Sequence, residues 1–243
     1  MLKNYQEEAI LKLTNFCNDL DKKSINQSFK DITNSQYLEI ENFSNPYVCI
    51  RIPTGGGKTL VATKSIRVIT HDYLNKDYSL VFWLAPSDKI VSQTLEALKN
   101  RQHYYRQILD KEFDNIEVLS IQEAFRKSFN PNESLVIIVG TIQSFRTTNK
   151  DGRKFFDENS TYYEMLKSFD MTPTLENMMR HFKPIVILDE AHKSSTSLSL
   201  KSLLDGLQFT KQEKPKVQRI LNELEIKNFH LQVLNTLKKR KLQ

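Results

Sequence analysis

Five short apolar runs rich in Val and Ile recur along the chain, and helical spacings of apolar residues lie between them. The runs are Val48–Ile52, Leu80–Ala85, Ile116–Ile121, Leu135–Thr141 and Ile185–Asp189. Each run is too short for a helix, and a continuous apolar run of this length predicts a strand buried on both faces. Strands that alternate with helices favour an α/β fold with a mainly parallel sheet and helices on both faces.

Three longer helices are predicted between or before these strands, each with one apolar face. The first face carries Ala9, Ile10, Leu13, Phe16, Cys17 and Leu20. The second carries Val61, Ala62, Ser65, Ile66 and Ile69. The third follows Ser87, a predicted N-cap, and carries Ile90, Val91, Thr94, Leu95 and Leu98. Ser120 and Glu123 have the spacing of a capping box, which predicts a short helix after the third strand.

Two segments interrupt this alternation, and both are expected to be insertions at the edge of the sheet. Lys22–Asn45 is polar and shows no pattern, whereas Arg146–Lys183 is charged and predicts helices near Tyr162–Phe169 and Leu175–Phe182. Apolar residues at helical spacing over Lys216–Leu237 predict one or two amphipathic helices. We therefore expect one domain over residues 1–206, with insertions near 22–45 and 146–183, and a basic helical tail over 207–243.

Composition excludes several classes of protein. With 243 residues, 39% apolar and 26% charged, and with only 6 Gly and 7 Pro, the chain is neither collagen-like nor disordered. Its longest apolar runs are far below the roughly 20 residues of a membrane span, and the first ten residues lack a signal-peptide core. Cys17 and Cys49 form no paired pattern, so reduced thiols and a cytoplasmic location are expected.

The net charge of +6 is concentrated near the end of the sequence. Residues 193–243 hold 11 basic and 4 acidic residues, so the preceding part is almost neutral. A basic segment of this kind is typical either of nucleic-acid contact or of a solvated helical face, and the sequence alone leaves both interpretations open.

The segment RIPTGGGKTL, residues 51–60, follows the first predicted strand and opens the second predicted helix, which is the context of a phosphate-binding loop. Glycines let the backbone wrap closely around phosphate oxygens at a helix N-terminus. Lys58 is expected to reach the β- and γ-phosphates, and the Thr59 hydroxyl to hold Mg²⁺. The nucleotide-binding residues predicted here are Thr54, Gly55, Gly56, Gly57, Lys58 and Thr59. Ile52 stands where the strict motif has glycine, so a simple glycine-rich turn is the alternative.

The segment PIVILDEAHK, residues 184–193, ends an apolar strand in two acids. Asp189 is expected at the carboxyl end of its strand, where open α/β sheets bind ligands, and there it can hold Mg²⁺. Glu190 can orient or deprotonate the attacking water. Exposed acids at strand ends are common, but the glycine loop and the two acids together predict hydrolysis of a nucleoside triphosphate, with ATP and Mg²⁺ as cofactors.

These motifs resemble the first motor domain of superfamily 2 DEAD/DEAH-box helicases and translocases, and the flanking sequence is closest to the restriction (Res) subunit of type III restriction enzymes. The matching stretches are YQEEAI, PTGGGKTLVA, WLAPSDKIVSQTLEALK, VGTIQSF and PIVILDEAHKSSTSLS. The resemblance covers roughly residues 2–204 and implies a RecA-like P-loop fold. It also implies a hydrolase that couples ATP hydrolysis to movement along DNA.

The same resemblance implies further roles. Gln6 resembles the glutamine that recognises adenine, with a surface helix residue as the alternative, and His192 resembles the residue that couples nucleotide state to DNA movement. Four residues resemble contacts to the DNA backbone, namely Pro86, Ser87, Thr141 and Gln143. The alternatives are a helix cap at Pro86 and Ser87 and an ordinary turn after Thr141.

The sequence also departs from the resemblance. The family's next motif has Ser or Thr, then Ala, then Thr, yet the last alanine here is Ala191. A second motor domain, its arginine fingers and a nuclease domain have no match, because only Arg219 and Arg240 follow His192. We therefore expect one half of an ATP-dependent DNA motor of restriction-endonuclease type, weak or inactive alone. Its partners would be DNA, a second motor domain and a DNA methyltransferase subunit, and no membrane. The alternative is a truncated nucleotide- or DNA-binding module without enzyme activity.

Overall fold

The computed structural model describes most of the chain: residues 2–37, 45–53, 55–141, 154, 157–189 and the backbone of 230–236. Its centre is a six-stranded sheet in which all five neighbouring pairs are parallel. The strands are β1 (Tyr47–Pro53), β2 (Leu80–Ala85), β3 (Ile116–Ser120), β4 (Leu135–Thr141), β5 (Ile185–Asp189) and β6 (His230–Thr236), in spatial order β1-β6-β5-β2-β4-β3. The five apolar runs all form the predicted strands, to within one residue at each end.

Helices cover both faces of this sheet. They are α1 (Asn4–Asp19), α2 (Ile25–Thr33), α3 (Lys58–Val68), α4 (Asp88–Lys99), α5 (Tyr104–Leu109), α6 (Ile121–Ala124), α7 (Tyr163–Lys167) and α8 (Leu175–Phe182). Helix α3 continues into a π-helical turn, Ile69–Tyr73, and a 3₁₀ turn, Ser160–Tyr162, precedes α7. The capping box is present, since the Ser120 hydroxyl accepts from the Glu123 amide and the Glu123 carboxylate accepts from the Ser120 amide.

Alternate residues of the strands build two separate cores, as expected of a sheet buried on both faces. Val81 and Trp83 of β2 point to the core shared with α1, α3, α4 and α5. Leu80 and Phe82 point to the opposite core, which is shared with α7 and α8. Trp83, the sole tryptophan of the sequence, is fully buried. The layer architecture confirms the predicted α/β fold.

The prediction that Lys22–Asn45 has no pattern is wrong, because α2 lies inside it. The Ser24 hydroxyl caps α2 by accepting from the Gln27 amide, and Ile25, Phe29 and Ile32 pack against the core at helical spacing. Farther along, Tyr37 accepts a hydrogen bond from the Tyr47 amide of edge strand β1, over 3.0 Å. This segment therefore extends the core beside β1.

The position predicted for the second insertion is also wrong. The helices α7 and α8 form where the pattern predicts them, but they cover a face of the sheet and not its edge. Helix α8 buries an apolar face made of Leu175, Met178, Met179 and Phe182. These residues lie at spacings of three and four, so one side of the helix packs flat on the strands.

The helix predicted over Lys216–Leu237 is wrong for its last part, since His230–Thr236 forms strand β6. Leu231 and Leu234 are three apart, as in a helix, but Leu231 and Val233 also alternate, as in a strand. β6 pairs with β1 on one side and with β5 on the other, and long-range pairing of this kind outweighs a local helical spacing. The rest of 207–243 lies outside the described residues.

Candidate functional site

The carboxyl ends of the parallel strands bring several predicted site residues to one edge of the sheet. Ala85 of β2 pairs with Thr141 of β4. On the other side of β2, Leu84 pairs with Leu188 of β5, so the next residue of β5, Asp189, lies level with Ala85. On the other side of β5, Asp189 pairs with Val233 of β6, and β6 pairs with β1, which leads into the glycine loop. The edge is the place where doubly wound folds bind ligands.

The glycine loop needs its glycines for conformation and for space. Gly55 and Gly57 have φ of 74° and 78°, a region that residues with a Cβ rarely adopt. At Gly56 a Cβ would lie 2.6 Å from Ile52 Cγ2 and 2.8 Å from the Pro53 carbonyl oxygen. The Gly56 amide donates to that same carbonyl over 2.9 Å, which closes the turn. Thr54, the remaining predicted loop residue, lies outside the described residues.

Helix α3 begins at the end of this loop. Gly57 is its N-cap and Lys58 its first residue, so the unpaired N–H groups of an 11-residue helix face the loop. Lys58 is only 9% exposed, which places a cation at the same helix N-terminus. A helix N-terminus and a buried cation at the same point both favour an anion.

Gln6 of α1 reaches this loop from the first helix. Its side chain is 4% exposed, so the alternative of a surface helix residue is wrong. The Gln6 amide nitrogen donates to the Gly56 carbonyl oxygen over 2.7 Å, and its oxygen accepts from the Lys3 amide over 2.9 Å. Each end of the side-chain amide retains capacity for one more hydrogen bond, which is what recognition of a base edge requires.

Two tyrosines that the sequence analysis missed also lie near the site. The Tyr5 hydroxyl donates to the Gly56 carbonyl oxygen over 2.9 Å. Helix α5 packs against α3, and Tyr105 of α5 lies near enough to Thr59 and Asp189 for both to affect its pKa. Burial raises the pKa of Tyr105, the Asp189 carboxylate raises it further, and the Thr59 hydroxyl lowers it in part. Tyr5 adjoins Gln6 in the sequence, but no local signal links Tyr105 to a loop more than forty positions earlier.

Thr59 at the start of α3 and Asp189 at the end of β5 lie at the same edge of the sheet, although 130 positions separate them in the sequence. Asp189 is 7% exposed. A hydroxyl and a carboxylate fit Mg²⁺, which prefers oxygen ligands and usually keeps several waters. Among the described residues, no group of three or more His, Cys, Asp and Glu side chains could hold a metal ion. Glu190 lies outside the described residues.

The predicted DNA contacts differ in exposure. Ser87 is exposed and is the N-cap residue of α4, as the sequence predicts, but its hydroxyl makes no capping hydrogen bond. Pro86 is half-buried beside it, whereas Thr141 is only 6% exposed. Gln143 and His192 lie outside the described residues. In the part of the chain that is described, no helix is long and apolar enough to cross a membrane.

A comparison with protein families gives an independent result. The family described as type III restriction enzyme, res subunit, matches residues 1–232, which include the loop, both strand-end acids and the first three residues of β6. The match begins before Gln6 and extends beyond the stretches that carry the resemblance. No individual curated protein matches the chain.

Proposed function

Because the chain belongs to the type III restriction enzyme res subunit family and is thus a helicase-like, ATP-dependent motor domain, we propose that it hydrolyses Mg·ATP to move along DNA. The family implies hydrolase activity of the ATPase and helicase type in general. The nucleotide would bind where the glycine loop, Lys58 and Asp189 meet at the carboxyl edge of the sheet.

The observation that supports this proposal most is that the glycine loop, with the buried Lys58 at the start of α3, lies at the same edge of the sheet as the buried Asp189 of β5. A phosphate loop alone is compatible with binding any phosphate. A loop whose first helical hydroxyl lies near a strand-end carboxylate has, in addition, two oxygen ligands for the cation that accompanies a nucleoside triphosphate.

Each of the site residues has a separate role in this proposal. The N–H groups at the start of α3 and the Lys58 ammonium stabilise the charge on the phosphates. Thr59 and Asp189 would hold Mg²⁺, which would supply positive charge to neutralise the transferred phosphoryl group. Glu190 follows Asp189 directly and would accept the proton of the attacking water. Gln6, tethered to Gly56, selects adenine.

DNA and the protein partners belong to the same proposal. The exposed Ser87 hydroxyl would contact the DNA backbone without reading its sequence, and Pro86, Thr141 and Gln143 would add to that contact. His192 would transmit nucleotide state to this surface. A second motor domain and a methyltransferase subunit would complete an ATP-dependent restriction endonuclease.

The test separates binding from chemistry with Glu190→Gln, which keeps the shape of the side chain and removes the base. We expect ATP affinity to be unchanged and hydrolysis to fall by about 10²–10⁴-fold. Glu158→Gln, at an exposed position on a different segment, is the matched control and should hydrolyse ATP at the wild-type rate. Equal hydrolysis by Glu190→Gln and wild type would contradict the assigned role.

A module that binds nucleotide without turnover is the second candidate. In phosphate-loop enzymes an arginine beside the γ-phosphate is worth about 10³–10⁵ in rate, and the residues assigned to the site here include none. Single-turnover hydrolysis by the 243-residue chain, with and without DNA, distinguishes the two. Slow turnover that rises when a second motor domain is added supports the motor, and ATP binding with no turnover in either case supports the module.

A further inference from the structure

A single oxygen atom of the glycine loop joins the loop to α1. The Gly56 carbonyl oxygen accepts one hydrogen bond from the Tyr5 hydroxyl over 2.9 Å and a second from the Gln6 side-chain amide over 2.7 Å. A carbonyl oxygen has two lone pairs, so these two donors use its full accepting capacity. The proposed function assigns base recognition to Gln6, whereas the Tyr5 hydroxyl has no part in it.

Both donors come from a helix whose position is fixed by the core. Leu13 and Phe16 of α1 are each 2% exposed and lie in the same core as Val61 of α3. The loop approaches α1 so closely that a Cβ on Gly57 would lie 2.6 Å from the Gln6 amide nitrogen. The Gly56 carbonyl is therefore held against a rigid neighbour.

The loop itself does not determine how the peptide group between Gly56 and Gly57 is oriented. Glycine adopts positive and negative φ about equally well, so a peptide group between two glycines can rotate at low cost. In a planar trans peptide the C=O and N–H bonds point in opposite directions. Because the Gly56 carbonyl is bonded to α1, the Gly57 N–H points away from α1. The contacts from α1 thus select one of the orientations that the two glycines allow.

The selected orientation matters because Gly57 is the N-cap of α3 and directly precedes Lys58. Unpaired N–H groups at the start of a helix favour an anion, and an N–H from the adjoining loop adds to them. A rotation of the peptide group would replace this donor with a carbonyl oxygen, whose partial negative charge repels phosphate. The orientation of this peptide group therefore bears directly on phosphate affinity.

We propose that Tyr5 is a positioning residue for the phosphate site: its hydroxyl holds the Gly56 carbonyl against α1, so that the Gly57 N–H faces the bound phosphate. This inference rests on the proposed function, because it takes the glycine loop as the phosphate site. The group that Tyr5 orients is a backbone donor to phosphate, so its effect is independent of the base.

The test compares the binding of ATP, GTP and inorganic tripolyphosphate to the full chain in the presence of Mg²⁺. Tripolyphosphate has the phosphate chain of ATP without base or sugar. Tyr5→Phe keeps the ring and removes only the donor, and we expect it to weaken all three ligands by the same factor, about 2- to 12-fold. Tyr163→Phe is the matched control, since this tyrosine is 49% exposed on α7, beside the opposite core, and should bind all three as wild type does.

The Gly57 amide gives a readout that a purely structural role of Tyr5 would not change. The sequence has only six glycines, so labelling with ¹⁵N-glycine makes this amide resonance accessible. We expect its proton to shift downfield when tripolyphosphate binds to wild type, as a hydrogen bond to phosphate forms, and to shift less in saturated Tyr5→Phe. A Gly57 amide that does not respond to bound tripolyphosphate in wild type would overturn the inference.

Lys58→Ala distinguishes the failure of this inference from the failure of the proposed function. If Lys58→Ala weakens tripolyphosphate binding and Tyr5→Phe does not, Tyr5 has no positioning role and the phosphate site stands. If Tyr5→Phe weakens ATP but not tripolyphosphate, the phenol acts on the base or sugar and the inference is wrong. If wild type and Lys58→Ala bind tripolyphosphate equally, the loop is not the phosphate site and both proposals fail.

Discussion

The side-chain amide of Gln6 donates a 2.7 Å hydrogen bond to the carbonyl oxygen of Gly56. This bond joins the first helix of the chain to the middle of the glycine loop, across 50 positions of sequence. Because Gln6 is almost fully buried, its amide has no access to bulk water through which to satisfy its hydrogen bonds. The contact therefore ties α1 to the glycine loop, where the nucleotide is proposed to bind.

Gln6→Ala should weaken the binding of ATP more than the binding of GTP. A neutral hydrogen bond contributes about 0.5–1.5 kcal/mol, which corresponds to roughly 2- to 12-fold in affinity for ATP. Titration of both labelled nucleotides against wild type and variant measures the ratio. Gln107→Ala, at an exposed position on α5, is the control. An equal loss for ATP and GTP would mean that Gln6 supports the loop and does not read the base.

Gly57→Ala should destabilise the protein more than Gly55→Ala, although both glycines have positive φ. The left-handed conformation costs each variant about 1–2 kcal/mol. At Gly57 the new Cβ would also lie 2.6 Å from the Gln6 amide nitrogen, whereas at Gly55 it meets nothing within 4 Å.

Fluorescence of the buried Trp83 during urea unfolding measures this difference. The double variant Gln6→Ala with Gly57→Ala should relieve the clash. Only the cost of the left-handed backbone conformation at residue 57 should then remain. If Gly55→Ala and Gly57→Ala lower the free energy of unfolding equally, the close contact with Gln6 does not exist in solution.

The strands could be predicted from sequence because their signal is local. Buried parallel strands have nearly continuous apolar runs, and Leu135–Thr141 shows this in seven consecutive buried residues. β6 could not be predicted in the same way. Leu231 and Leu234 fit a helix equally well. The segment forms a strand only because β6 pairs between β1 and β5.

The candidate site likewise has residues that could be predicted from local sequence and residues whose position depends on tertiary packing. The loop and Asp189 could be predicted, since each motif is contiguous and each lies at a strand end. The positions of Tyr5 and Tyr105 near the site could not, because they depend on how α1 and α5 pack around α3. The burial of Gln6 likewise follows from tertiary packing and not from its helical position.

Glu123 should make stability depend on pH in the acid range. Burial raises its pKa, but hydrogen bonds from Lys99 and from the Ser120 amide and hydroxyl outweigh that and lower it to about 2 from 4.5. A lowered pKa in the folded state means that the stabilisation is present above pH 4.5 and is lost as the pH falls towards 2. We expect Glu123→Gln to be less stable than wild type at pH 7, with the difference shrinking over that interval.

Urea unfolding of wild type and Glu123→Gln at pH 7, 5 and 3 measures this effect. Glu96→Gln, an exposed acid on α4, should show no such convergence. Since Glu123 is partly exposed, the stabilisation is small and should weaken with salt. A constant difference between wild type and Glu123→Gln from pH 7 to pH 3 would contradict the ion pair with Lys99.

DNA binding by this chain should be weak, independent of sequence and reduced by salt. Few phosphate contacts give a shallow dependence of log affinity on log salt concentration. Ser87→Ala should lower affinity by a few-fold at low salt without changing the salt slope, because it removes a neutral contact. Deletion of 238–243 removes four basic residues and should reduce the slope. Loss of all DNA binding on that deletion would assign the contacts to the basic end and not to the motor motifs.

The most direct test of the account is equilibrium binding of labelled ATP, in the presence of Mg²⁺, to wild type, Lys58→Ala and Lys64→Ala. Both lysines lie on α3, but Lys58 is at its N-terminus beside the glycine loop and Lys64 is nearly two turns farther along. Charge-assisted contacts to phosphate are strong, so we expect Lys58→Ala to weaken ATP binding by about 10-fold or more, with Lys64→Ala close to wild type. Equal affinity of wild type and Lys58→Ala would contradict a nucleotide site at this loop.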